Sequence, residues 1–262
     1  MPSTNYACVN GRFVPEDRAQ VSITDRGFLY GDGAFETIRV YGGRMFRAVE
    51  HMERLFAGLA YLDILALFSP EELRAVCRVL LERNHVADGV VRVYVTRDSL
   101  VATARGTLFE PRTLSAVVSS ITIDPQWSRF KTANRLPYIL AQRQAATEGA
   151  DEAVLLNPSG KVAEFCTSNV FVAKDGELFT PPLTDGPLPG IARRAVIELA
   201  GEMKIPVREE SFAPEFLESA DEVFATNSLL EIAPVTSWGG DRVFTERLQR
   251  AYQKRVAEET GR

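Results

Sequence analysis

Apolar residues recur along this chain in two rhythms. Residues 49–62 place Met52, Leu55, Phe56, Leu59 and Leu62 at three- and four-residue spacing, which predicts a helix with one apolar stripe. His51 and Arg54 fall on its polar side, three apart, so they are neighbours on one face. A second helix opens at Ser69-Pro70-Glu71-Glu72. Ser69 suits the N-cap, Pro70 the first turn and Glu72 the returning carboxylate of a capping box. Its stripe is Leu73, Val76, Cys77, Leu80 and Leu81. Further helices are expected over residues 138–147, ending at Gly149, from Ile191 to Met203, and over 245–258. The other rhythm alternates. Residues 6–9 and 12–14 flank Asn10-Gly11, a hairpin signal, and 35–41, 89–97 and 114–123 read as longer strands. Residues 153–156 and 161–165 form a hairpin about Asn157-Pro158-Ser159-Gly160, whose residues suit a type I turn. Its second strand is expected to continue unbroken to Val172, with short strands at 206–209, 222–226 and 232–236. The stretch holding Gly27, Gly31 and Gly33, and residues 100–112, read as loops.

This mixture predicts an α/β (α+β) chain of two domains, residues 1–111 and 126–262, joined by a strand and connector over 112–125. Composition then narrows the partners. A hydrophobic content of 45% and a charged content of 25% are those of a soluble globular protein. A net charge of -5 argues against nucleic acid, which is met by a basic face. No apolar run is long enough to span a bilayer, and residues 1–11 lack the basic-then-apolar pattern of a signal peptide, so no membrane association is expected. Three scattered cysteines, Cys8, Cys77 and Cys166, read as reduced thiols in a cytoplasmic protein. Two histidines, His51 and His85, without a Cys/His cluster give no metal site.

Candidate chemistry lies where charge interrupts these patterns. Lys131 stands alone between Phe130 and a small polar run, ahead of an apolar segment. Glu164 breaks a mostly apolar strand and is costly there unless a cation or donor meets it; an edge strand with Glu164 in water is the alternative. Arg92 is flanked by valines and calls for an anion, either a structural carboxylate or a ligand's. The helix beginning at Ile191 follows Gly190 and offers free N–H groups to an anion. Thr226-Asn227-Ser228 ends a strand with hydroxyl and backbone donors. A lysine, a carboxylate for a ring nitrogen and a phosphate cup are together what pyridoxal 5′-phosphate requires.

On these residues the chain resembles the class IV (fold type IV) pyridoxal-phosphate enzymes, which include branched-chain and D-amino-acid aminotransferases and 4-amino-4-deoxychorismate lyases. The resemblance runs over nearly the whole chain. It is carried by Gly31-Asp32-Gly33-Ala34-Phe35-Glu36, by Glu50-His51-Met52-Glu53-Arg54-Leu55, by residues 131–136, by Glu164-Phe165-Cys166-Thr167-Ser168-Asn169-Val170-Phe171, and by Leu188-Pro189-Gly190-Ile191-Ala192-Arg193. It implies a small N-terminal α/β domain and a larger C-terminal pseudo-barrel domain carrying the lysine. It also implies a homodimer acting on a small amino compound. By resemblance Lys131 is the Schiff-base lysine and proton shuttle, and Glu164 holds the pyridine nitrogen. Arg54, the backbone of Ile191 and Ala192, and Ser228 reach the phosphate, with Arg135 and Asn227 beside the cofactor. The family often has Thr where Ala192 stands, so one hydroxyl contact is missing. Tyr30, Phe35, Arg92, Arg97 and Asn227 are the positions implied for the substrate.

Within the family, Asn134-Arg135-Leu136 looks lyase-like, since many aminotransferases have Tyr where Arg135 stands; Cys166 and Thr226-Asn227-Ser228 point the same way. The first expectation is therefore 4-amino-4-deoxychorismate lyase, giving 4-aminobenzoate and pyruvate for folate synthesis. The alternative is an aminotransferase taking a D-amino acid, a branched-chain amino acid or an (R)-amine, with 2-oxoglutarate or pyruvate as acceptor.

Overall fold

The computed structural model describes residues 5–262, which fall into two units. The first comprises the chain up to Phe109, together with Phe130–Asn134 and Val256–Arg262; the second comprises Glu110–Arg129 and Arg135–Arg255.

The first unit is built on an antiparallel sheet. Its elements are β1 (Tyr6–Val9), β2 (Arg12–Pro15), α1 (Arg26–Tyr30), β3 (Gly33–Tyr41), β4 (Arg44–Met45), α2 (Ala48–Tyr61), α3 (Pro70–Arg83), β5 (Gly89–Thr96) and β6 (Leu100–Gly106), with strand order β2-β1-β6-β5-β3-β4. Alternation sends Ile38, Val40, Val91 and Val93 to one face, where Met52, Leu55 and Leu59 of α2 and Leu73, Cys77 and Leu80 of α3 close a single core. The Ser69–Glu72 capping box forms in both directions.

Two expected loops are ordered. Residues 100–106 are a strand, not a loop: β6 pairs with β5 from Val95↔Leu100 to Gly89↔Gly106. Its inward residues include Ala102 and Ala104, whose weak strand preference hides the alternation. Within the glycine-rich stretch, buried Asp25 caps α1 by accepting from the N–H groups of Gly27 and Phe28, and Gly31 ends the helix in the left-handed region at φ 69°. Thr96 Oγ1 donates to the same Asp25 carboxylate. Burial opposes ionisation of Asp25, yet its hydroxyl and amide donors prevail and hold its pKa below the ordinary value.

The lysine segment pairs with β3. Phe35 N–H donates to Lys131 O at 3.0 Å and Ala133 N–H to Gly33 O at 2.7 Å, while Phe130 stacks on Tyr61 with ring centroids 4.1 Å apart. These contacts group Phe130–Asn134 with the first unit, whereas the sequence division places Lys131 beyond residue 126.

The second unit contains β7 (Ala116–Thr122), α4 (Pro125–Ser128), α5 (Leu136–Thr147), β8 (Glu152–Leu156), β9 (Val162–Phe165), β10 (Asn169–Lys174), β11 (Glu177–Thr180), α6 (Ile191–Glu202), β12 (Val207–Glu209), α7 (Glu215–Glu218), β13 (Glu222–Asn227), β14 (Glu231–Gly239) and α8 (Val243–Thr260), the last turn of which belongs to the first unit. Its sheets run β7-β8-β9 and β12-β11-β10-β13-β14. The strand expected to reach Val172 is broken. Phe165 N–H donates to Ser168 O at 2.8 Å, so Cys166-Thr167-Ser168 turns the chain out of the first sheet and into the second. Phe165, Val170, Val172, Val223 and Ala225 share the core, and Phe171 stacks on Phe224 in parallel at 5.1 Å. The fold is that of a mixed α/β protein, as expected. Among the described residues no helix is long and apolar enough to cross a membrane, and no group of three His, Cys, Asp or Glu side chains could hold a metal ion.

Candidate active site

In the first unit, Lys131 Nζ lies 4.7 Å from the centroid of Phe35, a buried ring stacked on Tyr94. On the opposite face of β3, Glu36 points inward between Ala34 and Ile38, fully buried. Its carboxylate accepts from Arg54 Nε at 2.7 Å and Nη2 at 2.9 Å, and from His51 Nδ1 at 2.7 Å. The expectation that His51 and Arg54 occupy the polar side of α2 is corrected: His51 is buried, and the Arg54 side chain keeps only 10% of its exposure. The helix turns its 51/54 edge onto the sheet because Glu36 is there to receive it. Burial works against the Glu36 charge, but the Arg54 and His51 partners hold its pKa well below the usual carboxylate range. Burial pulls the His51 pKa down; Glu36 opposes this, while Arg54 and Lys131 add to it. A neutral His51 donating its Nδ1 proton to Glu36 satisfies both groups.

The arginines weighed for the substrate face outward. Arg92 is exposed, bonding Tyr94 Oη at 2.7 Å, so the buried setting expected for it is corrected: alternation along β5 puts the valines inside and Arg92 outside. Arg97 lies beyond the end of β5, near Asp32 at 3.7 Å and Leu62 O at 3.3 Å. Tyr30 is 66% exposed, with Arg26 over its ring.

In the second unit, Glu164 is buried although β9 is an edge strand. Its Oε2 accepts from Leu188 N–H at 2.9 Å and Asn169 Nδ2 at 3.4 Å, and its Oε1 from Tyr138 Oη at 3.3 Å. Arg135 stacks on Tyr138, its guanidinium carbon 3.3 Å from the ring centroid, and donates to Cys166 O at 2.9 Å. Helix α6 follows Gly190, an N-cap that provides no side-chain bond, and opens with buried Ile191 and Ala192. Ser228 sits in the turn after β13. Asn227 Nδ2 donates to Ser168 Oγ at 2.9 Å and Thr167 O at 3.2 Å, and its Oδ1 accepts from the N–H groups of Leu229 and Leu230, so its side chain secures the turn itself.

Sequence reasoning missed Glu36, Tyr138 and Asn169. Glu36 had a readable signal, a carboxylate in the inward register of β3. Tyr138 and Asn169 looked like ordinary helix and strand residues.

The chain is similar to known proteins over most of its length. The amino-transferase class IV family model matches residues 33–238. The chain belongs to the class IV aminotransferase family. Its members are pyridoxal-phosphate enzymes of fold type IV. A D-alanine aminotransferase of Staphylococcus epidermidis is 33% identical over 276 residues, covering 95% of this chain and 96% of that protein. A D-alanine aminotransferase of Listeria innocua is 36% identical over 255 residues, covering 90% and 88%. Among solved structures, the Escherichia coli branched-chain amino acid aminotransferase superimposes with a TM-score of 0.91 at 29% identity over 98% of this chain and 96% of that one. A putative 4-amino-4-deoxychorismate lyase of Legionella pneumophila gives 0.84 at 28% identity over 91% and 97%.

The residues present suit the family's cofactor. Glu164 is a buried carboxylate fixed by neutral donors, as a partner for a protonated ring nitrogen must be. The start of α6 presents backbone N–H groups without a competing side-chain cap, as a phosphate requires. The absence of a side chain at Gly190 is needed, since a Cβ there would overlap Asn169 Oδ1.

Proposed function

We propose that this chain is a pyridoxal-phosphate-dependent aminotransferase acting on D-amino acids, with D-alanine as a donor and a 2-oxo acid as acceptor. The observation that carries this reading is the identity of 33% and 36% to two D-alanine aminotransferases over almost the full length of both partners. It replaces the lyase as first choice.

When bound, pyridoxal phosphate supplies an electron-withdrawing ring that acidifies the hydrogen on an amine-bearing carbon. In this proposal Lys131 Nζ takes that proton and returns it. The Phe35 ring, its centroid 4.7 Å from Nζ, holds the amine in place between the two transfers. Glu164 keeps the ring nitrogen's proton in place. Arg54, the N–H groups of Ile191 and Ala192 and the Ser228 hydroxyl hold the phosphate, with Arg54 oriented for the task by Glu36. Ala192 offers no hydroxyl, so backbone donors carry more of the grip. Arg92, Arg97 and Tyr30 are the proposed contacts to substrate carboxylate. Three unbridged, buried cysteines support a cytoplasmic setting. Exposed Ile23, Phe28 and Tyr30 support burial in a homodimer, which sedimentation tests.

The lyase reading retains the support of Asn134-Arg135-Leu136, Cys166 and Thr226-Asn227-Ser228, and of the likeness to the putative lyase of Legionella pneumophila. The test is to offer the cofactor-loaded protein D-alanine with 2-oxoglutarate, L-alanine with 2-oxoglutarate, and 4-amino-4-deoxychorismate alone. Sustained pyruvate only from the first mixture, abolished in Lys131→Ala, supports the proposal. Sustained pyruvate from 4-amino-4-deoxychorismate without an oxo acid overturns it in favour of the lyase.

A further inference from the structure

Glu164 is aimed by more than its own strand. Its two oxygens are served from different elements. Oε2 faces Leu188 N–H and the Asn169 amide, while Oε1 receives the hydroxyl of Tyr138 from α5. Tyr138 is buried, and its single hydroxyl proton points at the carboxylate. Arg135 stands three residues earlier, at the N-cap of the same helix, with its guanidinium on the Tyr138 ring. A 2.9 Å bond to the Cys166 carbonyl, two residues beyond Glu164, pins the guanidinium there. A cation held against a phenol ring draws electron density from its oxygen and makes the O–H a better donor. Tyr138 itself stays protonated, because burial and the nearby Glu164 charge push its pKa up.

We infer that Tyr138, polarised by the stacked Arg135, is a positioning residue that keeps the Glu164 carboxylate ionised and turned toward the cofactor's ring nitrogen. The inference rests on the proposed role of Glu164. Donors to a carboxylate stabilise its charged form, so a proton shared between Glu164 and a ring nitrogen stays on nitrogen. Removing the Tyr138 hydroxyl takes one buried donor from Oε1, and the proton shifts toward the carboxylate. Arg135 thereby has a use within the protein, and its presence in place of the tyrosine common among aminotransferases leaves the transaminase reading intact.

The test uses the holoenzyme loaded with pyridoxal phosphate labelled with 15N in its ring. The 15N resonance reports ring-nitrogen protonation directly and is independent of turnover. Tyr138→Phe keeps the ring and its stacking and deletes only the hydroxyl. The expected result is a smaller protonated fraction and a cofactor dissociation constant raised about tenfold, the effect of one hydrogen bond to a charged group. Arg135→Leu keeps the hydroxyl and should move both readouts the same way by less. Circular dichroism of each apo-protein checks folding. Glu164→Gln is the reference. If it shifts the resonance while Tyr138→Phe leaves wild-type values, the inference fails and the role of Glu164 stands. If Glu164→Gln leaves the resonance unchanged, the role assigned to Glu164 fails and the inference falls with it.

Discussion

Arg54 meets Glu36 with two nitrogens, Nε at 2.7 Å and Nη2 at 2.9 Å, and Glu36 is wholly buried. A paired buried charge is tolerated because each member neutralises and orients the other; removing one leaves the other uncompensated. Glu36→Gln retains the shape but leaves the Arg54 guanidinium without its anion. The expected loss of unfolding free energy is about 3 kcal/mol, measured by urea titration at neutral pH. The double variant Glu36→Gln/Arg54→Met should recover part of that loss, since no lone buried charge remains.

His51 confers a pH dependence with a definite window. Its pKa in the fold lies below the ordinary 6.5, because burial favours the neutral ring. The unfolded chain therefore binds the proton first as pH falls. The stability contribution is full above pH 6.5, begins to decline as pH drops below 6.5, and ceases to change beneath the folded pKa. Glu36 acts in a separate window: its folded pKa is depressed, so its contribution is present above its ordinary 4.5 and lost as pH falls further. His51→Asn should flatten the urea midpoint between pH 7 and 5 (about two units, spanning the His window) while leaving the acid limb that Glu36 governs. An unchanged slope in that interval would show that His51 does not carry it.

The sequence made the secondary structure legible wherever pattern and local chemistry agreed. The Ser69 capping box, the 49–62 stripe and the Asn157-Pro158-Ser159-Gly160 turn all form. It misled where a tertiary contact overrode the pattern. Arg54 and His51 look like a polar helix face until Glu36 is found opposite them. The strand after Glu164 looks continuous because Cys166, Thr167 and Ser168 give no strong turn signal, although they form the bend between two sheets. Glu164 stands out in the sequence because a carboxylate in an apolar strand is costly, whereas Lys131 and the glycine-led start of α6 break no local rule and gain their candidate roles only in combination with it. Tyr138 breaks no such rule either, so only the structure reveals it against Glu164.

All three cysteines are buried, and burial raises each thiol pKa; Cys77 and Cys166 are pushed up to about 12, the latter also by the nearby Glu152 charge. A thiolate is the reactive form. Ellman's reagent at pH 8 should therefore leave the three thiols of the native protein essentially unmodified and titrate all of them after unfolding in guanidinium. Rapid labelling of Cys166 in the native state would mean that the bend at 166–168 opens readily.

Gly190 has no room for a side chain. A Cβ there would overlap Asn169 Oδ1 and press on Arg193 Cβ at 3.2 Å. Asn169 is not free to retreat, because its Nδ2 donates both to Leu188 O at 2.8 Å and to Glu164 Oε2 at 3.4 Å. Gly190→Ala therefore either displaces Asn169 or shifts the first turn of α6. Overpacking of this kind costs about 1–3 kcal/mol, visible as a lower melting temperature of the apo-protein. The two responses are separable with the cofactor present. Displacing Asn169 weakens the hold on Glu164 and lowers ring-nitrogen protonation, whereas shifting α6 weakens pyridoxal phosphate binding with the ring nitrogen's proton in place. Gly201→Ala lies on the same helix with nothing within 4 Å of the added carbon, so it should leave both the melting temperature and cofactor affinity at or slightly above wild-type values.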